Sequence, residues 1–209
     1  MKKKIIIISI VSIILIASLA ILGYLLSLKN INFIFSSNVS EITIYKKQDY
    51  DKKNNPIKIT ESQKIKLQTG DYVIIPTGKI ITNNPINIII SKDEEISIDP
   101  DYSLTYLSSI AIKSKNDIFK VLSDKYSDLI KNYDIKFENA YQKGEWFGGL
   151  LVNKNSTPDS KKDIYRFVAY KKDKTWEIIN YPELILSKSK YTNTPIEILN
   201  SINNIKYYL

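Results

Sequence analysis

The chain has no cysteine and no histidine, a single arginine (Arg166), one methionine and six glycines in 209 residues. Each scarcity excludes something. Without cysteine there is no disulfide, no thiolate nucleophile and no lipid-bearing residue for a lipoprotein anchor. Without histidine the commonest general base, the usual zinc ligand and the neutral-pH switch are all missing. Formal net charge is 30 − 22 = +8, and the surplus is almost all lysine. Reading of nucleic acid favours bidentate arginine contacts, so no nucleic-acid partner is expected. The lysines read as solvated surface, and an anionic surface polymer is the contact such a surplus favours. The Ile, Lys and Asn bias is that expected of AT-rich bacterial coding.

What is abundant is apolar sequence at the start. MKKKIIIISIVSIILIASLAILGYLLSLKN carries no charge from Ile5 to Leu28, about 36 Å as a helix and enough for a ~30 Å hydrocarbon core. The serines in it can return hydroxyls to carbonyls one turn back. Tyr24 suits an interface, and Lys2, Lys3 and Lys4 outweigh Lys29. A cleavage site can be drawn at Ser18-Leu19-Ala20, yet ILGYLL keeps the segment apolar beyond it. A pilin would carry a glutamate inside the run and a processing glycine ahead of it, and neither is present. The expectation is a cytoplasmic tip at 1–4 and an uncleaved transmembrane signal anchor at 5–28. The bilayer is then a partner through 5–28. The location is the cell membrane, single-pass, with the N-terminus cytoplasmic and the bulk extracytoplasmic.

From 31 to 99, period-two segments alternate with turn residues. Expected strands are VSEITIYKK, PIKIT, QKIKLQ, DYVIIP, GKIIT, INIII and EEISID, at the spacing of a small all-β sandwich. Ile65 and Leu67 point one way, Lys64 and Lys66 the other. The step Leu67-x-x-Gly70-x-Tyr72-x-Ile74, with its trailing alternating strands, resembles the PEGA family of extracytoplasmic β-sandwich modules, although the proline-glutamate-glycine-alanine motif is absent. That resemblance implies a structural or surface-binding module at 36–99, without catalytic residues.

Pro100 marks a boundary. Leu104, Leu107 and Ile110 suggest a connector, and Ser114-x-x-Asp117 a capping box. The stripe Ile118, Leu122, Tyr126 and Leu129 predicts a helix over 116–132. IKFENAYQ, EWFGGLLVN, IYRFVAY and TWEII follow as strands, with a hairpin turn at Lys171 to Lys174, and then ELILS as a further strand. Thr194-Pro195-Ile196-Glu197 predicts a last helix, with Thr194 as cap and Glu197 closing a capping box. Asp163, Tyr165, Phe167, Lys171, Trp176 and Ile178 give a hairpin that resembles the NTF2-like α+β roll. The resemblance implies a cone-shaped interior at 103–205, used in that family for anything from catalysis to protein contact. The fold class expected is α+β: one transmembrane helix, a small all-β sandwich, then a helix packed on a curved antiparallel sheet.

GEWFGGLL is the most conspicuous cluster. Trp146, Phe147, Gly148 and Gly149 are candidate partner-binding residues, as a platform for a sugar ring or a peptide. The favoured competing reading is a strand with a glycine bulge and Trp146 in the core. Asp93, Glu94, Glu95, Asp99 and Asp101 lack EF-hand spacing and its glycine, so capping and solvated charge are preferred. Glu138, Glu145 and Asp163 could furnish paired carboxylates, but their spacing singles out none of them. Ser187-Lys188 is a poor dyad, because adjacent strand residues face opposite ways. No phosphate cradle occurs, and no cofactor is expected. The chain therefore reads as a non-enzymatic, membrane-anchored extracytoplasmic protein that tethers its outer modules to an envelope protein or polymer. The alternatives are a subunit of a secretion or pilus assembly, and a hydrolase with a carboxylate site.

Overall fold

The computed structural model describes residues 2–155 and 164–206; the side chains at 2–11 and 137 are outside the description. Two compact units divide after Pro100.

The first unit opens with α1 (Lys2–Ser27) and continues as β1 (Leu28–Phe35), β2 (Glu41–Lys46), α2 (Lys47–Tyr50), β3 (Ile57–Ile59), β4 (Gln63–Gln68), β5 (Gly70–Thr77), β6 (Ile86–Ile90) and β7 (Glu94–Ile98). The transmembrane helix in the expected fold class is not supported. Among the described residues no helix is long and apolar enough to cross a membrane. Leu28, expected inside the anchor, already pairs with Gln68 in a sheet. Ser18 and Ser27 do donate their hydroxyls to the carbonyls of Ile14 and Tyr24, at 2.8 and 2.7 Å.

Two sheets follow, ordered β4-β1-β7 and β3-β2-β5-β6. β1 pairs antiparallel with β4 and parallel with β7; the second sheet is antiparallel throughout. Strand β1 was hidden by the apolar run before it, yet its period-two pattern is clear: Ile31 and Phe33 are fully buried while Asn30 and Asn32 reach out to Asp93 and Glu95, at 2.9 Å each. GKIIT is not a strand. Its Ile81 is buried, and a side chain at Gly78 would meet the Asn38 carbonyl oxygen at 2.1 Å.

The second unit runs α3 (Leu104–Lys125), α4 (Ser127–Ile130), β8 (Tyr133–Tyr141), a 3-10 turn (Gln142–Gly144), β9 (Trp146–Asn153), β10 (Ile164–Lys172), β11 (Thr175–Ile178) and α5 (Ile196–Asn203). Helix α3 begins twelve residues before the expected start at 116. Ser103 is the true cap, its Oγ accepting from the Tyr106 amide at 3.3 Å. Leu107, Ala111, Ser114, Ile118 and Leu122 then make one continuous inner stripe, so Ser114 lies inside the helix and caps nothing. The sheet is antiparallel, ordered β11-β10-β9-β8. The hairpin closes through two residues, Asp173 and Lys174, both with positive φ (47° and 73°), as a two-residue primed turn requires. ELILS forms no strand: only Glu183 bridges, to Arg166 of β10. Asp163, part of the hairpin resemblance, lies outside the described residues.

The sheet is covered on both faces. On one, α3 lays Ala111, Ile118 and Leu122 against Phe147, Phe167, Ala169 and Trp176. On the other, α5 lays Ile198, Leu199 and Ile202 against Trp146, Val168 and Leu186.

Helix α5 starts without the expected cap. Pro195 holds the cap position with no side-chain hydrogen bond, Glu197 accepts from Gln142 at 2.7 Å instead, and Thr194 is fully buried with its hydroxyl unpartnered. A buried hydroxyl without a partner costs about 1–3 kcal/mol. Thr194→Val, equal in shape, is therefore expected to raise the thermal midpoint of this unit by a few degrees. A lower midpoint in differential scanning calorimetry would show that the hydroxyl is satisfied in solution.

Candidate functional site

The four candidate residues of β9 do not share a face. Period two sends Trp146 toward α5 and Phe147 toward α3. Phe147 is fully buried, stacked on Phe167 at 5.9 Å and edge-on to Trp176 at 6.0 Å. A side chain at Gly148 would stand 2.1 Å from Cδ1 of Ile202; glycine lets α5 lie directly on the strand. Gly149 faces the ring of Phe167, where an added carbon would sit 3.2 Å away. The irregularity near the glycines is on the neighbouring strand. Residues 137 and 138 of β8 together oppose Gly149, between the pairs Lys136–Leu150 and Asn139–Gly148.

Of the four, Trp146 borders one of the grooves described in the structure. It lies in the second unit, about 520 Å³ in volume, between the 3-10 turn, β9, β10 and the start of α5. Trp146 and Tyr170 form its aromatic wall, with ring centroids 4.7 Å apart and planes at 49°. Ile179 and Pro195 add apolar surface; Gln142, Asn193 and Glu145 stand at the mouth. The turn delivering Glu145 is unusual: Gln142, Lys143 and Gly144 all have positive φ, at 43°, 56° and 79°. Left-handed backbone at a non-glycine residue costs on the order of 1 kcal/mol or more and gathers at functional sites. Glycine is required at 144, where a side chain would stand 2.7 Å from Ile110 of α3. The Gln142–Glu197 hydrogen bond ties the turn to α5. Beside the groove, burial pushes the Tyr141 hydroxyl above its ordinary value.

No protein-family model matches this chain, and no curated protein matches it. Among solved structures it is similar to a DUF3823 family protein from Parabacteroides merdae ATCC 43184, at 11% identity and a TM-score of 0.29, covering 74% of this chain and 80% of that one. A DUF3823 family protein from Bacteroides ovatus ATCC 8483 is similar at 11% identity and a TM-score of 0.28, covering 72% of this chain and 95% of that one. Scores this low carry no argument about fold or activity.

The other residues considered from the sequence are dispersed. Glu138 takes an ion pair from Lys115 of α3 at 2.8 Å, Glu145 stands at the groove, and Asp163 is outside the described residues. Asp93 accepts from both the backbone and the side chain of Asn30, which holds its carboxyl below the ordinary range. Among the described residues no three acidic side chains gather as a metal site. Lys188 donates to the carbonyls of Thr192 and Thr194, at 2.5 and 2.7 Å, and Ser187 meets Ser189, so the pair forms no dyad. Glu183 is a cluster that the sequence did not disclose. Burial pushes its carboxyl up, but hydrogen bonds from Lys190 and Tyr191 outweigh that and hold it below its ordinary value.

Sequence reasoning missed the groove because its walls come from four separated segments. The aromatic pair does have a local signal: Trp146 and Tyr170 are cross-strand partners in the β9–β10 register, and such neighbours touch.

Proposed function

We propose that the chain is a non-enzymatic extracytoplasmic binding protein, held at a lipid surface through α1 and presenting the Trp146 groove as its binding face. The observation that carries this reading is the exposure of α1. Ten large side chains from Ile13 to Leu26, all apolar but for the Tyr24 hydroxyl, are each 53–68% exposed. Burying a side chain of this kind gains about 1.5–3 kcal/mol, and an apolar surface of this extent calls for a cover. A helix lying in the plane of a bilayer surface can turn apolar side chains into the boundary between headgroups and acyl chains. The extracytoplasmic placement rests on the resemblance of 36–99 to the extracytoplasmic PEGA modules. Holding the units at a surface raises their effective concentration at a partner there.

Flotation of the full chain tests the lipid contact. With vesicles of phosphatidylethanolamine and phosphatidylglycerol (3:1), the chain is expected to float, and to stay bound in 1 M salt because the attraction is apolar. The double substitution Leu15→Asp, Leu19→Asp is expected to leave it at the bottom of the gradient. A full chain that sediments away from the vesicles overturns the reading.

A further inference from the structure

We propose that the groove bordered by Trp146 and Tyr170 binds an organic cation: a quaternary ammonium group of the choline type. The proposal rests on the binding-protein reading above only in taking this groove as the binding face.

Charge is the first observation. The chain is lysine-rich at +8, and three other grooves described in the structure reflect it. One is lined by Lys46, Lys47 and Asp71, another by Lys46, Lys66 and Asp49, a third by Lys115, Lys136 and Asp134. Each has two lysines against one carboxylate. The Trp146 groove has no lysine in its lining and one carboxylate, Glu145. It is also the largest of the four, at about 520 Å³ against 340–390 Å³, within the range of small-molecule sites.

Shape is the second. A sugar ring wants a flat aromatic face. Trp146 is only 9% exposed, and its ring meets that of Tyr170 at 49°, so the two form a corner. A tilted aromatic pair bordering a groove suits a compact, near-spherical cation, which is drawn to ring quadrupoles, better than it suits a flat sugar ring. A trimethylammonium group has no N–H to satisfy, so apolar Ile179 and Pro195 can surround its methyls at no polar cost.

Position is the third. The left-handed turn Gln142–Gly144 sets Glu145 directly before Trp146. A carboxylate at the mouth adds Coulomb attraction where the rings supply the contact.

The test titrates choline into the full chain in polyoxyethylene detergent micelles, observing the ligand methyl protons by NMR. Choline is expected to bind, and 3,3-dimethylbutanol, its uncharged counterpart of the same shape, to bind at least about tenfold more weakly. Glu145→Gln, an exposed change expected to leave the unfolding midpoint in place, should weaken choline about 3- to 30-fold, and Tyr170→Leu by a similar factor. Failure of choline to bind, equal binding of the neutral compound, or an unchanged affinity in Glu145→Gln overturns the proposal. Flotation uses vesicles without choline, so the lipid contact and the groove stand or fall separately.

Discussion

Arg166→Met is expected to destabilise the second unit by about 2–3 kcal/mol, although the substitution keeps most of the side chain's apolar length. Arg166 is the chain's only arginine, and it holds α5 in place. Its Nε donates to the Ile202 carbonyl at 3.2 Å, and Nη2 to those of Asn203 and Ile205, at 3.3 and 3.5 Å. Nη1 donates to the Leu184 carbonyl. Ile202 and Asn203 end α5, where carbonyls have no partner within the helix and the dipole favours a cation. Hydrogen bonds from a charged donor contribute about 1.5–3 kcal/mol each. The guanidinium is half-buried and water reaches part of it, so the total is set well below the sum. Burial lowers its pKa, yet a guanidinium remains charged at neutral pH. The clamp also needs a fork: the acceptors belong to different segments, and one ammonium cannot reach them as a planar guanidinium does. Arg166→Lys should therefore recover less than half of the loss. Urea unfolding followed by tryptophan fluorescence reads this unit alone, since both tryptophans, Trp146 and Trp176, lie in it. A Met variant within about 0.5 kcal/mol of the parent would show that the clamp adds nothing.

The same arginine shows where legibility ended. Its strand was readable from IYRFVAY by alternation, because Phe167 and Ala169 face one helix while Val168 and Tyr170 face the other side of the sheet. The sequence could not say that Arg166 would serve a helix 30 residues later, since that depends on how α5 crosses the sheet. Strands with a wet face were legible for a related reason: Leu67 of β4 is buried while Lys64 and Lys66 are exposed, and burial on one face imposes period two. β1 was not legible, because Leu28 extends an apolar run in which helix and strand patterns merge. The start of α3 was misplaced because Ser114 mimics a cap, whereas Ser103 performs that role eleven residues earlier. Candidate-site reading found Trp146 and stopped there. The groove's other contributors sit on a turn, a second strand and a helix start, and no local pattern gathers them.

Phe147→Ala should cost still more, about 3–5 kcal/mol, and should do so without touching the groove. The two aromatic residues of WFGG look equivalent in sequence but occupy opposite faces of β9. Phe147 is fully buried against the rings of Phe167 and Trp176, in the cluster that also holds Ile118 and Leu122. The cost of a cavity depends on how far its surroundings can close in. Here they are held from both sides: Phe167 lies against Gly149, and α3 is fixed by its continuous stripe. Little can move into the space, which places the loss near the top of the range. Gly149, the next position on that face, brings no side chain that could swing across. The variant separates two roles for WFGG. If Phe147 is core, Phe147→Ala lowers the unfolding midpoint sharply, and at temperatures where the variant stays folded its choline affinity matches the parent's. If Phe147 belongs to a binding platform, affinity falls while the midpoint holds. Calorimetry and the NMR titration on one sample give both numbers, and only the first pattern agrees with a phenylalanine turned toward α3.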